Sequence, residues 1–402
     1  MNIRPFAAVR PNKADAPLVA SVPYDVISTS EAKALVEGNP KSFLHVSRPE
    51  IDLPSGTDCS SPAAYEQARR KLDEFLADGT LVKEDEPKYY AYRQIMGEHS
   101  QTGIVACFDV KEYMSGVLKQ HEKTRQDKED DRARHIETLG AQTGPVFLAY
   151  RDDKAIDDFV SNVCRTTEPL YDFTAADGIR HTIWEIGAAS SCMADELTEL
   201  FARIPCAYIA DGHHRSAAAA RYAAAHNFEG ESRWFMGVIF PVSQLKIYPY
   251  NRVVKDLYYY SEYQFLSEIS HNFTIGGSKA EHERFCKMYM EGRWRVLSWD
   301  KPAVDDPVAA LDVSYLQDNL LEPVLRIHDP RTDKRISFIG GLRGDVALSE
   351  VVDRGNAAVA FSMNAVSAEE MMAIADAGKV MPPKSTWFEP KLRSGLFVHL
   401  LR

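Results

Sequence analysis

The chain has 402 residues and a mass of 45.1 kDa, more than one compact core usually holds, so one large or two moderate domains are expected. Lys plus Arg number 47 and Asp plus Glu 58, a net charge of 47 − 58 = −11, which argues against a nucleic-acid coat and a polybasic membrane binder. Hydrophobic residues at 45% and charged residues at 26% are ordinary globular usage, which excludes wholesale disorder. No apolar run approaches a membrane span, and residues 1–9 carry no secretory pattern. The six cysteines are scattered, without a C-x-x-C pair or Cys/His zinc spacing. A soluble, acidic, cytoplasmic protein with reduced thiols is the expectation.

In chain order, residues 6–9 read as a short strand, followed by an extended stretch at 20–27 in which Pro23 keeps Val22 out of helical angles. Ser28 and Glu31 have capping-box spacing, which predicts a helix to about Gly38. Pro62 opens a second helix whose Tyr65, Ala68, Leu72, Phe75 and Leu76 recur at three- and four-residue steps, with Gly79 at its end. Residues 88–94 and 103–110 are aromatic and β-branched enough for strands. The densest charged segment is 119–135; residues 146–150 then read as a buried strand and 195–204 as an amphipathic helix. A short apolar run at 206–210 leads into a polar knot, 211–215, and an alanine-rich helix at 216–226. Beyond 257, strands (294–298, 335–339, 357–363) alternate with helices (313–321, 368–377). The three tyrosines at 258–260 read as a strand or core aromatic cluster. No repeat, low-complexity tract or flexible linker is visible. The expected division is 1–256 and 257–402.

Three segments could carry chemistry. Asp211-Gly-His-His-Arg215 packs a carboxylate, two imidazoles and a guanidinium into a strand-to-helix turn, where backbone N–H groups face an anion. Gly212 permits close approach and Arg215 offers a planar fork to phosphate oxygens. The competing reading is a solvated cap with Asp211 as N-cap. His121-Glu122 lies among cations in Lys119-Gln-His-Glu-Lys-Thr-Arg125, where a carboxylate can act as general base or metal ligand, or simply sit on a solvated helix face. Lys128, Asp131, Arg132 and His135 could extend either reading. In Gly378-Lys-Val-Met-Pro-Pro-Lys-Ser-Thr386, two prolines fix Lys384, Ser385 and Thr386 for a phosphate or carboxylate, though a rigid surface turn would look alike. Walker-type, zincin and nucleophile-elbow motifs are absent, and Gly340-Gly-Leu-Arg-Gly344 lacks the dinucleotide frame.

Strand, Asp-Gly-His-His-Arg, then helix resembles the second signature of the ParB and sulfiredoxin fold. His213 stands where sulfiredoxins carry their cysteine, so sulfinic-acid reduction is not implied. The acidic charge and the lack of a helix-turn-helix set the chain apart from ParB partition proteins. The combination of His121-Glu122, Asp211 to Arg215 and Pro383-Lys-Ser-Thr386 is similar to the free-serine kinases of this fold. Over its full length the sequence resembles the bacterial family called domain of unknown function 1015, through Pro23-Tyr-Asp-Val-Ile27, Ser42-Phe-Leu-His-Val46, Lys128-Glu-Asp-Asp-Arg132 and the two later motifs.

The resemblance implies an α/β protein (α+β mixed) with a ParB/sulfiredoxin-like nucleotide-binding core, large insertions and a C-terminal α/β domain that brings the Pro-Lys-Ser-Thr loop. It implies an ATP- and Mg²⁺-dependent kinase of free L-serine, with no nucleic-acid or membrane partner and a homodimer as one option. Glu122 is then the general base, with Asp211 and His213 beside it as catalytic groups. Gly212, His213, His214, Arg215, Lys128 and Arg132 take nucleotide phosphates. His121, Arg215, Lys384, Ser385 and Thr386 take the substrate, and Asp211 could orient the site or coordinate the metal. The alternative is a ParB-like nucleotide switch, binding CTP or ATP without phosphorylating a metabolite. A cradle of histidines that must be neutral predicts weaker activity below about pH 6.5.

Overall fold

The computed structural model describes residues 1–188, 191–276, 284–300 and 304–402. Its contacts divide into two compact units. One comprises residues 1–120, 124–245 and 390–402; the other comprises 121–123 and 246–389. This division falls earlier than 256/257 and interleaves the chain, because the last thirteen residues return to the first unit.

The first unit is built on a nine-stranded mixed sheet. Its order is Leu118–Lys119, Ala207–Asp211, Val146–Tyr150, Trp234–Pro241, His99–Asp109, Lys88–Met96, Arg180–Ala188 and Tyr171–Thr174, with Ile3–Arg4 added on His99–Asp109. Trp234–Pro241 is the pivot, antiparallel to His99–Asp109 and parallel to Val146–Tyr150. Val146–Tyr150 is buried throughout, as its unbroken apolar run requires for a central strand. Ile104, Ala106, Phe108, Leu148, Ile209 and Ile239 join one core; each large apolar side chain so buried contributes about 1.5–3 kcal/mol.

Local signals place several helices. Ser28 and Glu31 form both halves of the capping box of Thr29–Val36. Ser61 caps Pro62–Ala77, with proline in the first turn, and Tyr65, Ala68, Leu72 and Phe75 lie on its buried face. The charged segment becomes the helix Gln126–Leu139, which ends at Gly140 with φ 61°. Residues 6–9 are not one strand: pairing occurs at Ile3–Arg4 and Val9–Pro11, with Phe6 making a single bridge to Lys88.

The second unit holds a six-stranded antiparallel sheet ordered Thr274–Ile275, Arg293–Trp299, Arg284–Met290, Val359–Ser362, Tyr250–Val254 and Ile336–Gly340. A separate pair joins Lys246–Tyr248 to Trp387–Glu389. The tyrosine triplet is neither strand nor core. Tyr259 is 88% exposed, and Tyr258 takes a left-handed turn with φ 60°. Both units mix helices and sheet, so the mixed α/β class holds for each. Among the described residues, no helix is long and apolar enough to cross a membrane.

Candidate functional site

The strand Ala207–Asp211 runs into the helix His213–Ala225 through a single residue, Gly212. Its φ of 95° is left-handed, where a β-carbon is strained, and an added Cβ would also stand 3.1 Å from the Arg215 guanidinium. Gly212, not Asp211, is the N-cap. The helix starts three residues earlier than the alanine run suggests, so His213, His214 and Arg215 form its first turn. The first intrahelical bond runs from the Ser216 N–H to the Gly212 carbonyl at 3.0 Å. The positive end of the helix dipole therefore lies at residues 212–215.

Each side chain of the turn has a fixed neighbour. Lys391 Nζ lies 2.8 Å from Asp211 Oδ2, and Arg215 Nη2 lies 3.8 Å from Oδ1. Burial pushes the Asp211 pKa up, but Lys391 and Arg215 outweigh it and hold the carboxyl well below its usual range. Arg215 Nη1 also donates to the Pro145 carbonyl, which orients the guanidinium. The backbone N–H of Arg125 donates to His214 Nε2 at 3.2 Å. His213 is 4% exposed; burial, with His214 and Arg215 nearby, pushes its pKa down to about 4 despite Asp211. It stays neutral well below pH 6.5, so the expected loss of a neutral cradle at that pH does not apply to His213.

Arg215 also lines a pocket with Arg132, Tyr24, Ser47, His135 and Ser394. The Arg132 guanidinium stacks 4.0 Å from the centre of the Tyr24 ring and pairs with Asp131 at 2.7 Å. The pocket opens to solvent, and its cavity volume is about 40 Å³. That is room for a few waters or a small polar head group. Lys128 stands exposed in the first turn of the helix Gln126–Leu139.

The other expected residues gather in the second unit. His121 is 1% exposed, and its Nε2 lies 3.2 Å from Thr386 Oγ1. The Met381 N–H donates to the His121 carbonyl at 2.8 Å. The His-Glu pair and the Pro-Lys-Ser-Thr loop, some 260 residues apart, are thus held together. Ser385 Oγ donates to the Pro382 carbonyl at 2.6 Å and tightens the loop. Lys384 sits exposed at φ 56°, with its ammonium 5.1 Å from the Tyr250 ring. Such a left-handed lysine costs on the order of 1 kcal/mol and fixes the direction of its side chain. Glu122 is partly buried beside His121.

A Mg²⁺ ligated by Asp211 does not fit this setting. Its carboxylate is already shared by an ammonium and a guanidinium, and a divalent cation there would meet two positive groups. Among the described residues, no group of three or more His, Cys, Asp or Glu is placed to hold a metal. Sequence reasoning missed Lys391, Ser47 and Tyr24 as neighbours of these groups. Tyr24 lies within 23–27 and Ser47 directly follows 42–46, two stretches that carry the family likeness. Lys391 gave no local signal, lying 180 residues from its partner.

Fold and turn define a mixed α/β protein with an anion-ready strand–glycine–helix element in its larger sheet. The chain belongs to the family described as Protein of unknown function (DUF1015), whose model matches residues 3–314. No curated protein matches it significantly. Several solved structures are similar at low identity. A free serine kinase variant in complex with ADP shares 14% identity at a TM-score of 0.38, covering 73% of this chain and 92% of that one. SbnI with C-terminal truncation from Staphylococcus aureus shares 11% at 0.39, covering 74% and 87%. A conserved hypothetical protein from Pyrococcus furiosus shares 15% at 0.38, covering 74% and 95%. At such scores the likeness carries no argument about activity, which rests on the residues themselves.

Proposed function

We propose that the protein is an ATP-dependent kinase that phosphorylates the hydroxyl of free L-serine, giving O-phosphoserine and ADP. The observation that carries this reading is the strand–Gly212–helix element. It presents a helix N-terminus, a left-handed glycine against which the Arg215 guanidinium packs, and in Arg215 a planar fork suited to phosphate oxygens. Phosphoryl transfer asks little covalent chemistry of a protein. It asks for positioned phosphates, neutralised charge and a base at the attacking hydroxyl.

In this reading Gly212, His213, His214 and Arg215 hold the phosphates, and the exposed Lys128 adds positive charge to the approach. Asp211 orients the turn through Lys391 and Arg215 and ligates no metal. A Mg²⁺ bound to the nucleotide would supply charge neutralisation on its phosphates. Glu122 is the general base that takes the serine hydroxyl proton. His121, Lys384, Ser385 and Thr386 hold the acceptor hydroxyl and the phosphoryl group in transit. The association of His121 with Thr386 supports a shared role for the two motifs. A ParB/sulfiredoxin-like core fits the same element, and the intended site of action is cytoplasmic.

Binding precedes chemistry, so the first test is thermal. ATP and ADP at 100 times their Kd should stabilise the full chain by about 2.7 kcal/mol, raising Tm by several degrees, with a further shift on adding L-serine. A shift with CTP alone, indifferent to serine, would instead indicate a nucleotide-operated switch. Absence of a shift with every nucleotide would remove the phosphate assignment from residues 212–215.

A further inference from the structure

The pocket beside Arg215 is lined by Ser47 and His135, and Ser47 Oγ and His135 Nε2 are both buried without a hydrogen-bond partner. Ser47 is 5% exposed and His135 3%. Buried polar atoms in native proteins are bonded to protein, water or ligand almost without exception. Two such atoms in one pocket lining, together with two guanidiniums, mark a place built for an occupant.

The charges narrow its chemistry. Arg132 is met by Asp131, which also accepts from the Tyr65 hydroxyl at 2.7 Å. Arg215 is met only loosely by Asp211, itself held by Lys391. The charged side chains of the lining itself are these two guanidiniums, which suits an anion. His135 sets the second requirement. Its ring hydrogen-bonds the Val46 backbone, and burial, with Arg132 next to it, pushes its pKa down to about 3. The ring is neutral, so Nε2 is an acceptor. A phosphate monoester dianion brings no donor for it, whereas a carboxylate with an ammonium on the adjacent carbon satisfies both demands.

We propose that this pocket is the subsite for the head group of a small α-amino acid. The carboxylate lies on Arg132, Ser47 Oγ donates to it, and the ammonium donates to His135 Nε2. The assignment rests on the kinase reading for the role of its ligand, and it moves Arg132 from the nucleotide to the acceptor. Arg132, His135 and Ser47 are then specificity residues that hold the amino acid while its side-chain hydroxyl reacts elsewhere.

Calorimetry on the full chain without nucleotide tests this with four probes: L-serine, L-serine amide, 3-hydroxypropanoate and inorganic phosphate. L-Serine should bind at least about tenfold tighter than the other three, each of which lacks one recognised group. His135→Phe, which keeps a ring but no acceptor, should weaken L-serine about tenfold or more and leave ADP affinity unchanged. Ser47→Ala, a milder change in case the first variant folds poorly, should weaken it severalfold. Unchanged L-serine affinity in both variants, tighter binding of phosphate than of serine, or no binding of serine at all would overturn the proposal. If serine-dependent ADP release stands while these variants leave serine affinity untouched, only the pocket is wrong. If serine binding responds as stated but no ADP forms, the pocket stands and the kinase reading falls.

Discussion

Replacing Glu122 with Gln is expected to lower serine-dependent turnover about 10²- to 10⁴-fold while leaving ADP affinity and the KM for ATP nearly unchanged. The substitution preserves volume and hydrogen-bonding reach and removes only the ability to take a proton. Glu122 is partly buried, and its neighbour His121 is fixed by Thr386 and by the Met381 backbone. The carboxylate is therefore carried on an anchored segment, as a base must be if it is to meet one hydroxyl. A loss confined to kcat fits a group that acts in the transition state. An equal loss of nucleotide affinity would instead make Glu122 part of the binding surface, and unchanged turnover would remove it from the chemistry.

The second large effect concerns acid. His135, His181 and His213 are all at most 4% exposed, and burial is the first cause of a lowered pKa in each: about 3, about 3 and about 4. His181 illustrates the setting. Its Nδ1 lies 2.8 Å from the Tyr92 hydroxyl, Arg393 Nε donates to its Nε2 at 3.2 Å, and Arg393 in turn pairs with Asp177. The native state keeps these rings neutral, whereas the unfolded chain protonates them near pH 6.5. Between pH 6.5 and about 4 the unfolded state therefore binds more protons, and stability falls as pH falls. Each histidine contributes at most about 1.4 kcal/mol per pH unit, so the three together reach at most ~4 kcal/mol per unit. Asp211 adds to the loss further down. Its depressed pKa gives stability that is present above the ordinary carboxyl value and disappears as pH drops through the folded one. Denaturant midpoints at pH 7.5, 6.5 and 5.5 should show little change over the first step and a clear drop over the second. A flat profile would mean that the rings are not buried neutral.

What the sequence made legible was local. The capping box at Ser28 and Glu31, the apolar stripe from Tyr65 to Phe75 and the continuous run 146–150 each lie within a dozen or so residues, and each forms as expected. The start of the central helix was misjudged because alanine content points to Ser216. The decisive factor is Gly212, whose left-handed angle turns the chain into a helix immediately after Asp211. Tyr258 to Tyr260 misled through composition: aromatic triplets suit strands, but here the backbone turns and two rings remain solvent-facing.

The candidate site was legible as three motifs and illegible as an arrangement. Nothing local ties Lys391 to Asp211 or Thr386 to His121; both pairs are products of the fold. Lys391 also bears on the two roles open to Asp211. A carboxylate with an ammonium 2.8 Å away suits the orienting role better than that of a metal ligand. Within a chain of net charge −11 the cations of this site have partners: Arg132 faces Asp131, and Lys391 and Arg215 share Asp211.

The central claim is that this chain transfers phosphate from ATP to free serine. The most direct measurement incubates the purified full-length protein with Mg-ATP, with and without L-serine, and follows both ADP and O-phosphoserine. The account predicts ADP release that depends on serine, with O-phosphoserine formed in equal amount. Release of ADP that is indifferent to serine, or no release at all, would contradict it.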